Sequence, residues 1–419
     1  GRSVGELGNA ATNVAFPLTI SCVALALLFG IGGAASFNLT LGGGDREKAL
    51  FYIGNAATLL FGSGVILGTV ALFCLTPMLR FFGSPDNVLA YAKTYTGITA
   101  LGFPFLILTN GGGHLVRADG SPLNAMLYNL SGALINTVLD PLFIFVLGFG
   151  VQGAAIATVI SQALSAVFVF VFLTRKSELK VRFLKKKEFS ECIGYAKNIV
   201  SLGTAGFIMQ LTNSLVSICC NNILSDVGGD IYISVMTIVS SVRQLVETPI
   251  YAMNEGTSPI LSYNYGACRP ARVRKAMAVM STMILGYTAV MWSIIILFPS
   301  ALIGIFSSDA ALMQDAVPAL KQYFAAFICM DFQYIGQTVF KSLNKKKQAI
   351  FFSLLRKVFI VVPLTYMMPY MFYMGTSGVF LAEPVSNIIG GTLCLVVMLC
   401  TVLPELKRME KQNSKNVLQ

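Results

Sequence analysis

Long, mostly apolar stretches with few or no charged residues recur along the whole chain. A helix needs roughly 20 apolar residues to cross a bilayer, and each stretch is at least that long. Backbone polar groups must be satisfied within the hydrocarbon, so helices are the expected form. The stretches are residues 9–44, 49–79, 94–116, 120–174, 191–225, 230–264, 276–300, 312–340, 348–372 and 376–403. Residues 120–174 carry only Asp140 and divide at a glycine turn over 148–150, so the pattern predicts about eleven membrane-spanning helices.

Composition supports a membrane protein and excludes several other classes. Of the 419 residues, 55% are hydrophobic and 12% are charged, whereas a soluble domain carries about 25% charged residues. A soluble enzyme, a disordered chain and a secreted disulfide scaffold are therefore excluded. Most of the nine cysteines lie inside apolar stretches, which is typical of small buried side chains and not of a disulfide or zinc framework.

The net charge of +11 is explained by topology. Lysines and arginines follow the first, third, fifth, seventh, ninth and eleventh spans, and we assign Arg356 and Lys357 to helix starts on that same side. Arg243 alone is expected inside a span. The opposite side holds only Arg2, Arg80, Lys93 and Lys321. Basic loops face the cytoplasm, so we expect a cytoplasmic carboxyl terminus, and the charge does not indicate nucleic-acid binding.

Two motifs recur in order at an offset of about 225 residues, which indicates an internal repeat. The pattern G-x5-S-F-N over 30–38 returns as G-x5-S-Y-N over 256–264, and the pattern G-x2-G-x3-A-x3-S over 150–161 returns over 375–386. The offset spans six helices, an even number, which predicts parallel repeats. The counterpart of the span over 191–225 would precede residue 1, so we expect a twelve-helix architecture that lacks its first helix here.

These observations predict an all-α polytopic membrane protein with two six-helix bundles related by a pseudo-two-fold axis. About eleven of the twelve transmembrane helices are expected in this chain. The predicted parts are an amino-terminal lobe over 1–174, a basic cytoplasmic linker over 175–190, a carboxyl-terminal lobe over 191–404 and a cytoplasmic tail over 405–419.

An acid inside a membrane span is a functional candidate because burying it is costly. Asn136 and Asp140 are four residues apart and share a helix face. Pro141 removes a backbone donor and frees a carbonyl, and Thr158 on the next helix lies at a similar depth. Together these oxygens predict a site for sodium or a proton. The alternative is a polar clamp between two helices that binds no ion.

The repeat maps Thr158 onto Glu383 and Asp140 onto Thr365, so an acid and a hydroxyl recur in the second lobe with exchanged roles. This indicates either a second polar site or a coincidence. Glu255 is a further candidate acid, and it lies towards the cytoplasmic half of its span, where it can reach water.

Two other acids lie within second-lobe spans. Glu247 follows Arg243 by four residues, a spacing that favours a structural salt bridge along one helix. Asp331 has no charged neighbour in its own helix and precedes Gln333 and Tyr334. This favours an acid that lines a cavity over a buried structural acid.

At this point the sequence resembles the multidrug and toxic compound extrusion (MATE) family. The stretch over 135–162, I-N-T-V-L-D-P-L-F-I-F followed by G-V-Q-G-A-A-I-A-T-V-I-S-Q, resembles the fifth and sixth helices of that family. The stretch S-P-I-L-S-Y-N-Y-G-A over 258–267 is similar to the end of its eighth helix. The first residues, G-R-S-V-G-E-L-G-N-A-A, are similar to the link that follows its first helix. The resemblance covers essentially the whole chain.

The resemblance implies two bundles that rock between outward-open and inward-open states and export organic cations against sodium or protons. It implies an amino-terminal coupling site at Asn136, Asp140 and Thr158, whereas the family's first-helix aspartate has no counterpart here. In the second lobe, Asp331 matches the helix-ten acid loosely. Helix seven offers only Gln210 and Asn213 where some members of the family have an acid, so this second-lobe site is incomplete here. The candidates for the substrate cavity are Gln210, Asn213, Gln333 and Tyr334.

The leading hypothesis is therefore a monomeric multidrug antiporter of the plasma membrane. Its partners are the lipid bilayer and small organic cations or drugs, with Na⁺ or H⁺ as coupling ion and no cofactor. The alternative is a flippase for a lipid-linked saccharide or peptidoglycan precursor, which would need a cationic cavity. It is disfavoured because the spans are expected to hold acids and one paired arginine. A membrane enzyme or receptor is disfavoured by the lack of an extramembrane domain and of a catalytic motif.

Overall fold

The computed structural model describes residues 5–177, 189–306 and 309–417, and it is helical throughout these ranges, with no β-strand in them. The chain divides into two compact units, Gly1–Gln210 and Leu211–Gln419. The all-α polytopic fold is confirmed. Most of the predicted basic linker, namely 178–188, lies outside the described residues, so the lobe and linker limits stay predictions.

The first unit contains six complete helices, two π-helical segments and the beginning of a seventh helix. The helices are α1 (Gly5–Gly42), α2 (Arg46–Phe73), α3 (Leu75–Phe81), α4 (Asp86–Ala118), α5 (Pro122–Pro141), α6 (Gly150–Val171) and the start of α7 (Phe189–Gly228). The π-helical segments, Leu142–Val146 and Phe172–Lys176, continue α5 and α6.

The second unit begins within α7, and two of its predicted spans contain a π-helical segment. Its other helices are α8 (Asp230–Gly266), α9 (Pro270–Leu297), α10 (Pro299–Gly304), α11 (Ala310–Tyr323), α12 (Phe327–Ser342), α13 (Lys346–Leu354), α14 (Val362–Tyr370), α15 (Gly375–Ser386) and α16 (Thr392–Val417). The segment Leu355–Val361 joins α13 to α14, and Asn387–Gly391 joins α15 to α16.

Local sequence explains where the helices begin and end. The carboxylate of Asp45 accepts a hydrogen bond from the backbone N–H of Lys48 at 3.1 Å and so caps α2. Gly120 has a φ of 83° after the end of α4, a conformation that glycine adopts without steric cost. Pro122 then begins α5, where its missing N–H costs no intrahelical hydrogen bond.

The helices of the first unit approach closely through glycines. A Cβ atom added at Gly203 in α7 would lie 1.7 Å from the carbonyl oxygen of Leu28 in α1. One added at Gly30 in α1 would lie 2.6 Å from the carbonyl oxygen of Gly111 in α4. Small residues at such crossings let membrane helices pack backbone against backbone. Around these contacts lies a buried apolar cluster that includes Phe37, Leu60 and Ile107.

The surface of the helices suits hydrocarbon. The helix α5 is mostly apolar, and its side chains Leu134 and Val138 are 58% and 68% exposed. In the described residues, eight helices are long and apolar enough to cross a membrane by length and composition. Each of the eleven predicted spans overlaps a helix or a helix pair. The chain is therefore a multi-pass membrane protein.

The structure departs from the predicted spans within residues 312–340, where α11 ends at Tyr323 and α12 begins at Phe327. The carbonyl oxygen of Phe324, in the break, accepts a hydrogen bond from the indole N–H of Trp292 at 2.9 Å. A tertiary partner thus satisfies a backbone group at the break. Hydrophobicity alone does not reveal such an interruption.

Candidate functional site

The predicted coupling residues of the first unit lie at the end of α5. The amide nitrogen of Asn136 donates to a carboxylate oxygen of Asp140 at 3.3 Å, and both side chains are half-buried. Pro141 is the last residue of α5, and the π-helical segment Leu142–Val146 begins directly after it. Proline supplies no N–H, and π-helical turns are frequent at functional sites.

Thr158 lies on α6, which packs against α5. Its hydroxyl donates to the carbonyl oxygen of Ala154 at 2.9 Å, so its proton is used within its own helix and its lone pairs remain able to accept. Tyr95 on α4 lies close enough to Asp140 for an electrostatic interaction. Tyr95 was not predicted, because nothing in the sequence links it to a residue two helices further on.

The second unit contains a cavity of about 230 Å³ that includes three of the predicted site residues, Asn213, Glu247 and Glu383. Thr365, the repeat counterpart of Asp140, also lines it. The acid and the hydroxyl that the repeat relates to the first-unit site therefore share one cavity. The remaining lining residues are Val216, Ser217, Cys220, Met236, Ser240, Arg243, Tyr323, Lys357, Val361, Val379 and Ala382.

Three cations converge on one carboxylate oxygen in this unit. Oε1 of Glu383 lies 3.0 Å from Nζ of Lys357, 3.1 Å from Nη1 of Arg356 and 3.2 Å from Nη1 of Arg243. Glu383, Arg356 and Lys357 are each at most 4% exposed. Arg356 also donates to the amide oxygen of Asn387. Burial strengthens each of these pairings and raises the cost of breaking them.

Arg243 connects this group to a second acid. Its Nε donates to Glu247 at 2.5 Å, as the four-residue spacing predicted. Its guanidinium also donates to the hydroxyl of Tyr323 and lies 5.7 Å from the centre of that ring. Such a distance allows a cation–π interaction in addition to the hydrogen bond.

The placement of Arg356 and Lys357 corrects the charge assignment made from the sequence. We expected both at a cytoplasmic helix start and expected Arg243 alone inside a span, but Arg356 and Lys357 lie in the π-helical segment between α13 and α14. They lie roughly 15 Å along the helix from the start of α13. Their ion pairs with Glu383 stabilise both charges at this depth. In the sequence, the one sign of a buried cation was Glu383, an acid in another span with no obvious partner nearby in the chain.

Asp331 is 0% exposed and is not among the residues that line the cavity. The hydroxyl of Thr288 on α9 lies close enough to interact with the Asp331 carboxylate, although neither side chain makes a hydrogen bond of ordinary geometry. Gln333 donates to the carbonyl oxygen of Phe352 at 2.9 Å. Both side chains are buried inside the second unit. The roles predicted for Asp331 and Gln333 stay predictions.

The other predicted residues lie apart from this cavity. The hydroxyl of Tyr334 lies 2.9 Å from that of Tyr251. Glu255 is half-buried and interacts electrostatically with Lys341. Gln210 is the last residue of the first unit. None of these three lines the second-unit cavity, and their roles stay predictions.

The first unit contains a different kind of cavity, of about 390 Å³, among α2, α4 and α6. Its walls are almost wholly apolar. It therefore offers no charge to select an ion, unlike the carboxylate of Asp140. The lining residues are Ala57, Thr58, Phe61, Gly62, Phe105, Leu108, Ala166, Val167, Phe170, Leu173 and Thr174.

Comparison with known proteins agrees with this architecture. A sequence model of the MatE family matches residues 2–142 and 206–367. The chain belongs to the MatE family. Its membership confirms the resemblance noted in the sequence. It also agrees with a chain built of membrane-spanning helices.

Individual relatives of this MatE protein are distant but nearly full-length. The chain is 25% identical to the Multidrug export protein MepA of Staphylococcus saprophyticus, over 95% of this chain and 87% of that protein. It is 22% identical to a FAD transporter of Shewanella oneidensis, over 93% of this chain and 87% of that one. A crystal structure of MATE in the bent conformation superposes with a TM-score of 0.89 at 22% identity, covering 98% of this chain and 90% of that one.

Proposed function

We propose that this MatE protein exports drugs, including organic cations, and that an inward flow of Na⁺ or H⁺ drives the export. A relative named Multidrug export protein MepA aligns over 95% of its length, which supports the proposal. The observation that carries it is the half-buried pair of Asn136 and Asp140 in a membrane-spanning helix, 3.3 Å apart. A carboxylate at this position is costly unless it binds a cation or a proton.

The coupling ion binds at the end of α5 in this proposal. Hard cations prefer oxygen ligands, and the carboxylate of Asp140, the amide oxygen of Asn136 and the hydroxyl oxygen of Thr158 are of that kind. A proton would instead bind Asp140 and leave Asn136 to accept or donate a hydrogen bond. Ion and substrate drive transport by favouring different conformations of the protein.

The test is ethidium efflux from proteoliposomes under separately imposed Na⁺ and H⁺ gradients. Asp140→Asn keeps the shape of the side chain and removes its charge, so we expect ion-driven efflux to fall to the level of empty liposomes. Asp86→Asn is the matched control, because the Asp86 side chain is 93% exposed and pairs with Arg80 at the surface. Undiminished efflux by Asp140→Asn would contradict the assignment of the coupling site.

Arg356 and Lys357 lie inside the candidate span Lys346–Tyr370. They supply buried cations of the kind that a flippase for a lipid-linked saccharide would need. The sequence disfavoured this alternative because the spans were expected to hold acids and one paired arginine, whereas Arg356 and Lys357 are buried there as well. A cavity of about 230 Å³ holds a compact chemical group and not a whole lipid-linked saccharide, because ligand cavities typically measure about 300–1,000 Å³. Translocation of a fluorescent lipid-linked saccharide, without ethidium efflux, would favour the flippase.

Topology and assembly complete the proposal. We place the protein in the bacterial plasma membrane as a monomer, with the carboxyl terminus in the cytoplasm, because basic loops face that side. A phosphatase fused after residue 419 is expected to be inactive in cells, whereas a fluorescent protein fused there is expected to fold. Light scattering of the detergent-solubilised protein measures whether it is a monomer.

A further inference from the structure

The charges around the second-unit cavity do not suit a site for organic cations alone. Arg243 and Lys357 both line it, and Arg356 lies directly behind Glu383. A substrate that carried only positive charge would be repelled by the first two side chains. The cavity therefore requires a different account of what it binds.

The direct ion pairs of this group join three basic side chains to two carboxylates. Arg243, Arg356 and Lys357 share a single oxygen of Glu383, and Arg243 alone reaches the second acid, Glu247. Buried charges are stable when they are paired, and two carboxylates cannot pair all three basic groups while each of these is protonated. A bound anion would balance the group.

The cavity also provides the donors that an anion needs. A guanidinium binds carboxylate and phosphate groups through two parallel hydrogen bonds, and a lysine ammonium binds them as a point charge. Asn213, Ser217 and Ser240 add polar side chains to the wall. Val216, Met236, Val361 and Val379 supply apolar surface beside them. The chemistry matches an amphipathic anion, with a carboxylate or phosphate head and an apolar body.

We propose that this cavity binds the carboxylate or phosphate group of an exported molecule between Arg243 and Lys357. In the free protein Glu383 takes the place of that group, so it acts as a tethered competitor for the two cations. The proposal rests on the proposed export function and specifies one substrate class for it. Molecules that carry both an anionic head and a positive group are included, because Glu247 lies at the same cavity.

The test compares ligands that share an aromatic body and differ in charge. The probes are 1-naphthoate, 1-naphthyl phosphate and 1-naphthylmethylammonium, and binding to the purified full chain is measured by isothermal titration calorimetry. We expect at least one anion to bind ten times more tightly than the ammonium compound. The tighter of the two anions distinguishes a carboxylate site from a phosphate site. Equal affinity for all three probes would overturn the proposal.

Variants then locate the site. Lys357→Met is expected to weaken binding of the preferred anion at least tenfold and to leave the ammonium probe unchanged. Lys321→Met is the control, because Lys321 is exposed and does not line the cavity. Glu383→Gln is expected to tighten anion binding by removing the competitor. Glu383→Asp, which withdraws the carboxylate by one methylene, gives the same reading if the glutamine variant does not fold. Unchanged anion affinity in Lys357→Met would overturn the assignment.

Measuring both binding and efflux separates the anion site from the export function. Ethidium efflux is measured with the same protein preparation in proteoliposomes. Efflux without selective anion binding would overturn the anion site and leave export intact. Selective anion binding that depends on Lys357, without efflux of any probe, would overturn export and support the anion site.

Discussion

Removing Glu383 and removing Lys357 should have opposite effects on stability, although the two side chains form one ion pair. Glu383→Gln leaves Arg243, Arg356 and Lys357 facing the single carboxylate of Glu247. Breaking a buried pair in this way costs about 3–5 kcal/mol. Lys357→Met leaves two cations and two carboxylates and fills the space with an apolar chain of similar length. We therefore expect a change of less than about 1 kcal/mol, of either sign.

The single tryptophan makes this measurement specific to the second unit. Trp292 lies in α9, and its indole donates to the break between α11 and α12. For a unit of this size, 1 kcal/mol shifts the melting temperature by about 2–4 °C. Tryptophan fluorescence of the detergent-solubilised protein should therefore show a fall of about 6–20 °C for Glu383→Gln and less than about 4 °C for Lys357→Met. Equal losses in both variants would refute the charge count.

Three further changes test the packing of the second unit in the same fluorescence assay. Gly391→Ala would place a Cβ atom 2.1 Å from a backbone carbonyl oxygen of α12, so we expect a loss of about 1–3 kcal/mol; Gly286→Ala, which meets nothing within 4 Å, should lose none. Asp331→Leu removes a buried carboxylate that makes no hydrogen bond of ordinary geometry and should raise stability by about 1–3 kcal/mol, whereas a loss would show that the contact with Thr288 is stabilising. Tyr323→Phe removes the hydroxyl that accepts from Arg243 and should cost about 1–2 kcal/mol, whereas no loss would mean that the ring contact alone suffices.

The sequence predicts the features that depend on neighbours along the chain. The spans follow from apolar length, and the pairs Asn136–Asp140 and Arg243–Glu247 follow from four-residue spacing on a helix. Both contacts lie within one helix, so they form regardless of how that helix packs against others. For this reason the all-α fold and the local geometry of both pairs were predictable without any knowledge of packing.

The features that were missed depend on contacts between helices. Arg356 and Lys357 lie near the beginning of an apolar stretch, where a rule based on loop charges assigns them to the cytoplasm. Their partner Glu383 is more than twenty-five residues further on and on another helix. At the break between α11 and α12, the carbonyl oxygen of Phe324 likewise finds its hydrogen-bond partner, Trp292, on another helix. A single sequence carries no record of such pairings.

The two units treat a carboxylate within a membrane-spanning stretch in opposite ways. The carboxylate of Asp140 accepts a hydrogen bond from the amide of Asn136, and we propose that it binds a cation from solution. Glu383 is surrounded by three of the protein's own basic side chains, so no external cation is needed there. In the exchange that we propose, a cation moving inward and an anion moving outward would not compete for the same group. Each ligand would instead shift one conformational equilibrium by its differential affinity for the two states.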